Sequence, residues 1–167
     1  MPASSDLVLP SHVTNTPWVI ARGSDDTPEE QYNPGKWMLF LNKAIGAGGE
    51  SPLDKAWRQI HALVKSGGLP SAKCATAYDS PLANNSAQGV VICYTMNCDN
   101  REEVLAAAQR IRQAVDYPGE MYYKTDVATM TGQYNVQGRS NVTRYRHSPS
   151  GAFYERGENN AWQRIDM

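Results

Sequence analysis

Cationic and aromatic side chains alternate between residues 120 and 147, in the segment MYYKTDVATMTGQYNVQGRSNVTRYRH. The cations and the histidine of this segment are Lys124, Arg139, Arg144, Arg146 and His147. Planar guanidinium groups hold phosphate through paired hydrogen bonds, and strand alternation predicts that Arg144 and Arg146 share one face with Tyr145 opposite. The pattern therefore predicts a phosphate-binding surface, and the alternative is an ordinary solvated strand face.

Composition limits the class of protein and the kinds of partner. A chain of 167 residues fits one domain, with a net charge of −1 and a pI near 6.3 that argue against bulk attraction to nucleic acid or anionic membranes. No apolar run is long enough to span a bilayer, and no secretory leader is recognisable at the N-terminus. We expect a soluble, cytoplasmic protein with a flexible lead-in over residues 1–16 and a single domain over residues 17–167.

Three cysteines, Cys74, Cys93 and Cys98, are an odd number and lie in or next to apolar segments. They are predicted to be reduced, buried thiols. Catalysis by a cysteine is disfavoured because none stands in a clearly electropositive setting. A zinc site is also disfavoured, because the spacing of Cys93 and Cys98 matches no common ligand pattern.

Hydrophobic periodicity predicts strands and two helices that would position these residues. The predicted strands are Trp18–Arg22, Lys36–Leu41, Ser71–Tyr78, Gly89–Thr95, Glu120–Lys124, Asn141–His147, Ala152–Arg156 and Ala161–Ile165. The first helix is predicted to start at Ser51-Pro52 and to end near Ser66, with Trp57 on its buried stripe. The second is predicted to start at a capping box of Asp99 and Glu102 and to run to about Val115.

This order of elements is not a regular alternation of strands and helices. It predicts an α+β domain whose architecture is a curved, mostly antiparallel sheet with helices packed on one face. The other face would be partly open to a ligand. Within the third strand, alternation sets Lys73 among small residues on the face opposite Cys74.

Several segments resemble known families. GKWMLFL, SAKCATAY, VICYT and MYYKTDVATMTGQY occur in this order, and the region 35–147 that contains them resembles the family of basophilic-leukemia-expressed protein. That family is similar in fold to the cap-binding translation initiation factor 4E and has been labelled phosphothreonine lyase. The segment from VVICYT through NREEVLAAAQRIRQAV to YYKTDVATMTG also resembles the C-terminal half of the initiation factor itself.

The resemblance implies a carbon–oxygen lyase that eliminates phosphate from a phosphorylated hydroxyamino acid or peptide, without a metal or organic cofactor. By this resemblance Lys73 would remove the Cα proton, and Arg144 and Arg146 would bind the phosphate. Tyr123, Lys124 and Arg139 complete the predicted phosphate site. The family's acid histidine is missing from KWMLFL, and His147 could substitute for it only if the sheet folds it across the pocket.

Two non-enzymatic alternatives use the same residues. A module that lost the acid would bind a phosphorylated side chain or a nucleotide, since binding requires only charge and shape. A cap-like ligand would need two aromatic planes and a carboxylate, for which Trp18, Trp37 and Trp162 are the available tryptophans outside the helix stripe. No membrane partner is expected, and nucleic acid is expected only as a capped or nucleotide-like ligand.

Overall fold

The computed structural model describes residues 7–23, 32–79, 87–126 and 143–167. Its strands within these ranges are β1 (Trp18–Arg22), β2 (Gly35–Asn42), β3 (Ser71–Ala75), β4 (Gln88–Thr95), β5 (Met121–Thr125), β6 (Thr143–His147), β7 (Phe153–Arg156) and β8 (Trp162–Arg164). Its α-helices there are α1 (Pro52–Lys65) and α2 (Arg101–Ala114). None of the described helices is long and apolar enough to cross a membrane.

The strands form one eight-stranded sheet in the order β1-β3-β4-β2-β5-β6-β7-β8. The pairs β1–β3, β3–β4, β2–β5, β5–β6, β6–β7 and β7–β8 are antiparallel. The predicted α+β class with a mostly antiparallel sheet is therefore confirmed. Contacts divide the chain into two compact units, Met1–Ser24 with Leu39–Cys93 and Asp25–Met38 with Tyr94–Met167.

In the first unit, α1 packs against β1 and β3. Its first turn is fixed by a capping box, in which Asp54 N donates to Ser51 Oγ and Ser51 N donates to Asp54 Oδ2. Trp57 lies on the buried stripe of α1 and is 1% exposed, so its predicted core position is confirmed.

The N-terminal segment of this unit is tied to the same helix. Residues 10–12 form a 3-10 turn in which Ser11 donates from N and Oγ to the Asp54 carboxylate, at 2.9 and 2.6 Å. Ala77 N donates to Pro10 O, and Thr76 N donates to Pro17 O. Strand β3 ends at Ala75 rather than at the predicted Tyr78, and these two amides bind the N-terminal segment instead.

The second unit packs α2 against one face of its strands. Trp37 on β2 is fully buried and donates from Nε1 to Val104 O on α2, at 2.9 Å. Tyr123, Tyr145 and His147 are buried on this same face, as the strand registers require. Tyr122 on β5 and Arg146 on β6 therefore point to the opposite face, away from α2.

The predicted capping box of Asp99 and Glu102 is wrong by one residue. Helix α2 has Asn100 as its N-cap, and the Asn100 side chain accepts from Glu103 N. Asp99 does not cap the helix, because its carboxylate accepts a hydrogen bond from Arg144 Nη1 at 2.7 Å. Glu103 instead accepts from the amides of Met96 and Asn97 just before the helix.

Candidate functional site

The face of the second unit opposite α2 carries cations and aromatic rings on adjacent strands. The registers place Tyr122 opposite Arg146, Arg146 opposite Tyr154, and Tyr154 opposite Arg164. Two residues along the strands, Lys36 lies opposite Lys124, and Arg156 lies opposite Trp162. We call these residues the cationic face: Lys36, Tyr122, Lys124, Arg146, Tyr154, Arg156, Trp162 and Arg164.

Arg146 lies at the centre of the cationic face and is held from several directions. Its guanidinium carbon lies 4.0 Å from the centre of the Tyr154 ring and 5.2 Å from that of Trp162. Arg146 Nη1 donates to Glu120 Oε1 at 3.1 Å, and Ser148 Oγ donates to the same oxygen at 2.9 Å. The two ring contacts and the carboxylate therefore hold the guanidinium in place. Arg146 Nε is buried and has no hydrogen-bond partner among the described residues.

Trp162 is the aromatic centre of the cationic face. The Arg156 guanidinium lies 4.3 Å from the centre of its ring, and Tyr122 approaches with a centroid distance of 6.3 Å. Arg156 is anchored to β6, where it donates to Thr143 O at 2.8 Å and to Thr143 Oγ1 at 2.7 Å. Tyr122 is 37% exposed, so its ring is accessible from solvent.

Two lysines oppose each other at the β2 side of the face. Lys36 is 8% exposed and forms an ion pair with Asp126 at 2.9 Å. Burial, and then the charge of Lys36, lower the pKa of Lys124. Like charges directly across a strand pair destabilise it, so this arrangement favours a bound anion. Burial, together with Asp126 and Tyr32, raises the pKa of the neighbouring Tyr94 to about 12, so this phenol is neutral at physiological pH.

The two arginines predicted as one phosphate grip reach different partners. Burial alternates along β6 as predicted, with both arginines half-buried and Tyr145 buried. The β5–β6 register shifts between Tyr123 and Lys124, which leaves Arg144 outside the pairing. Arg144 binds Asp99 at 2.7 Å and contacts Glu155 and Cys98 Sγ, each at 3.4 Å. Among the described residues, Arg146 pairs instead with Glu120.

His147 lies on the buried face, opposite the cationic face. Its ring is 2% exposed, and its Nδ1 accepts a hydrogen bond from Arg112 Nε at 2.9 Å. Burial, together with the charge of Arg112, lowers the pKa of His147 to about 4. The ring is therefore neutral at pH 7 and shielded from solvent, so this geometry gives no support to the predicted role as the acid.

The remaining predicted site residues have separate positions. Tyr123 is fully buried, with its hydroxyl 2.6 Å from Thr95 Oγ1, while Arg139 lies outside the described residues. Lys73, in the first unit, holds its ammonium 4.2 Å from the centre of the Trp18 ring. This contact stabilises the charged ammonium, whereas proton abstraction requires the neutral amine.

Five residues of the cationic face were not predicted from the sequence as site residues: Lys36, Tyr122, Tyr154, Arg156 and Arg164. A partial signal was present, because each residue lies on a strand and strand period sets which residues share a face. What the sequence lacked was the register that aligns these strands side by side. Among the described residues, no group of three or more His, Cys, Asp or Glu side chains is arranged to hold a metal ion.

Comparison with known proteins gives matches among solved structures alone. No protein-family model matches the chain, and no curated protein matches it. The chain is similar to a crystal structure of Schistosome translation initiation factor 4E complexed with m7GpppG and 4E-BP, with 14% identity and a TM-score of 0.47. That alignment covers 68% of this chain and 58% of the other.

A second Schistosome structure of the same factor, complexed with m7GpppA and 4E-BP, aligns with a TM-score of 0.45 and 14% identity. It covers 65% of this chain and 55% of the other. In both cases the chain spans less than two thirds of the solved protein. The initiation factor is the protein whose fold the sequence resemblance indicated, whereas no match supports the phosphothreonine lyase label.

Proposed function

We propose that the cationic face binds a phosphorylated ligand that carries a planar aromatic group, with a nucleotide as the ligand class. The observation that carries this proposal is the contact of Arg146 with two aromatic rings, on a face with four other cations, Lys36, Lys124, Arg156 and Arg164. Phosphate and an aromatic ring are the two chemical groups that such a face complements.

The phosphate half of the proposal depends on Arg146 and the two lysines. Arg146 is oriented by Glu120 and Tyr154, so little side-chain freedom remains to be lost when it binds an anion. A phosphate near Lys124 would also offset the repulsion between Lys124 and Lys36. Both effects favour a dianionic group over a neutral one.

The aromatic half depends on Tyr122 and Trp162. Tyr122 has the exposed ring, and Trp162 lies beside it with two guanidinium planes near its own ring. Planar bases stack on aromatic rings and on arginine guanidinium groups. A ligand with a base and a phosphate would use both halves of the face together.

The test is calorimetric titration of the protein with guanosine, adenosine and uridine triphosphates. We expect saturable binding, and we expect Arg146→Ala to weaken it by at least about tenfold because a charge-assisted hydrogen bond and a stacking partner are lost. Arg110→Ala is the matched control, since Arg110 is exposed on α2 and should leave the affinity within about twofold. Equal affinities of the wild type and Arg146→Ala, or no binding of any nucleotide, would contradict the proposal.

Elimination is distinguished from binding by a separate experiment. A phosphothreonine peptide incubated with the protein should stay intact by mass spectrometry, because binding requires no base and the Trp18 ring favours the charged form of Lys73. If the wild type removes phosphoric acid from the peptide and Lys73→Ala does not, the protein is a lyase, as the sequence resemblance implies, and the binding proposal is wrong.

A further inference from the structure

The tryptophans restrict which aromatic groups this protein can accept. The chain contains four tryptophans, and all four lie within the described residues. Trp37 and Trp57 are in the core, at 0% and 1% exposure. Trp18 already holds the Lys73 ammonium, and Trp162 already holds the guanidinium groups of Arg146 and Arg156. Every tryptophan is therefore either buried or already in contact with a cation.

A cation at an aromatic ring changes what else the ring attracts. The ring face is negative and draws a positive charge, which is the physical basis for binding methylated, positively charged bases between aromatic planes. At Trp162 the guanidinium groups of Arg146 and Arg156 already lie near the ring. A ligand ring with its own positive charge would lie within about 7 Å of these guanidinium groups, where like charges still repel appreciably at a partly buried surface.

The carboxylates of this region do not offset that repulsion. Asp126 is paired with Lys36, and Glu120 accepts from both Arg146 and Ser148. Asp166, just after β8, lies 3.6 Å from Arg164 Nε. Among the described residues near the cationic face, these carboxylates are already paired with the protein's own cations. A cationic ring would therefore meet net positive charge.

We propose that the cationic face selects phosphorylated ligands whose aromatic ring is uncharged and rejects ligands whose ring is cationic. This inference rests on the proposed function and adds the charge state of the ligand's ring. Neutral bases gain from the same arginines that exclude a charged ring, because guanidinium groups also stack on planar bases. The arginines thus act as specificity determinants as well as phosphate ligands.

Two matched ligand pairs test the inference by calorimetry. The first pair is guanosine triphosphate and 7-methylguanosine triphosphate, at a mildly acidic pH that keeps the methylated base positive. The second is reduced and oxidised nicotinamide mononucleotide, in which the phosphate is the same and only the oxidised ring is charged. We expect the member with the neutral ring to bind about fivefold to tenfold more tightly in both pairs.

Variants identify the source of the discrimination. Arg146→Gln keeps the polar chain but removes the charge, so it should weaken both members of a pair and bring their affinity ratio toward one. Arg156→Gln should change the ratio in the same direction, and circular dichroism verifies that each variant folds. Arg110→Gln on α2 is the matched control and should leave the ratio unchanged.

The outcomes separate the inference from the function on which it rests. Equal or tighter binding of the charged rings overturns the inference and leaves nucleotide binding in place. A wild-type ratio that persists in both Arg146→Gln and Arg156→Gln also overturns it, because the discrimination would then not come from these arginines. If no ligand binds, the proposed function fails and the inference fails with it.

Discussion

At the scale of single residues, Arg144 and Arg146 show how two neighbouring arginines acquire different roles. Arg144 binds Asp99 and contacts Glu155 and Cys98, near the start of α2. Arg146 contacts the Tyr154 ring on the cationic face and binds Glu120. The first set of contacts joins elements of the fold, whereas the second orients a cation on the face that we propose binds ligand.

Substitution of Arg144 should separate these roles. Arg144→Met removes the hydrogen bond to Asp99, which is also the main cause of the lowered pKa of that carboxyl. We expect the free energy of unfolding to fall by about 1 kcal/mol, with nucleotide affinity changed by less than about twofold. Urea denaturation and calorimetry measure the two quantities. A loss of affinity as large as that of Arg146→Ala would show that Arg144 belongs to the ligand site after all.

His147 should make stability depend on pH. Its pKa is about 4 in the folded protein against an ordinary value of 6.5, so the unfolded chain binds more protons between these two values. The stabilisation is complete above pH 6.5 and is lost as the pH falls toward 4. The shift corresponds to about 3 kcal/mol at most.

Urea denaturation across this pH range should show a steeper loss of stability for the wild type than for His147→Asn. His12→Asn is the control, because His12 is exposed in the N-terminal 3-10 turn and should leave the pH dependence as it is in the wild type. Identical pH profiles for the wild type and His147→Asn would contradict the assignment of this dependence to His147.

At the scale of elements, the register of the sheet decides which side chains become neighbours. Tyr122, Arg146, Tyr154 and Arg164 come from four strands and form a row because the strands align antiparallel. The same alignment sets Lys36 directly opposite Lys124. Cation–π contacts stabilise a row that mixes cations with rings, whereas repulsion between the two lysines destabilises their strand pair.

Removal of the Lys124 charge should show how much the repulsion between Lys36 and Lys124 destabilises the fold. Lys124→Gln should raise the free energy of unfolding without ligand by about 0.5 kcal/mol, because a partly buried repulsion is relieved. The same variant should be stabilised less than the wild type by added inorganic phosphate, as thermal denaturation measures. Lys55→Gln, on the exposed side of α1, is the control. A destabilised variant with the full phosphate effect would contradict this reading of the pair.

The bounds of helices and strands could be predicted from the sequence better than the contacts between them. Local pattern placed β1, β4 and α1 within about a residue of their observed bounds, because alternation, apolar runs and the Ser51-Pro52 start are encoded locally. The start of α2 was missed by one residue, since Asp99 and Asn100 are both good caps. The choice depends on Arg144, which binds Asp99 from a strand 45 positions away.

The candidate site was less predictable for the same reason. Alternation along β6 correctly separated Tyr145 from the two arginines, yet their partners Glu120, Tyr154 and Asp99 come from other elements. Similarly, His147 fits a catalytic role by residue type, but its position beside Arg112 depends on the packing of α2. Long-range packing of this kind is not encoded in the spacing of residues along one strand.

At the scale of the whole molecule, a net charge of −1 coexists with a concentrated positive face. The cations of this face outnumber the carboxylates that the described residues pair with them, Asp126, Glu120 and Asp166, so local attraction for an anion does not require a basic protein. The four tryptophans are distributed between core and surface, with Trp37 and Trp57 buried and Trp162 on the cationic face. Their side chains therefore report separately on the core and on the proposed site.

The most direct test of ligand binding at the cationic face is a magnetic resonance titration of the four tryptophan indole N–H signals with guanosine triphosphate, each assigned by substitution. We expect the Trp162 signal to shift saturably, with the buried Trp37 and Trp57 signals nearly unchanged, and we expect Arg146→Ala to reduce the shift at equal ligand concentration. A Trp162 signal that does not respond, or a response confined to Trp18, would contradict nucleotide binding at this face.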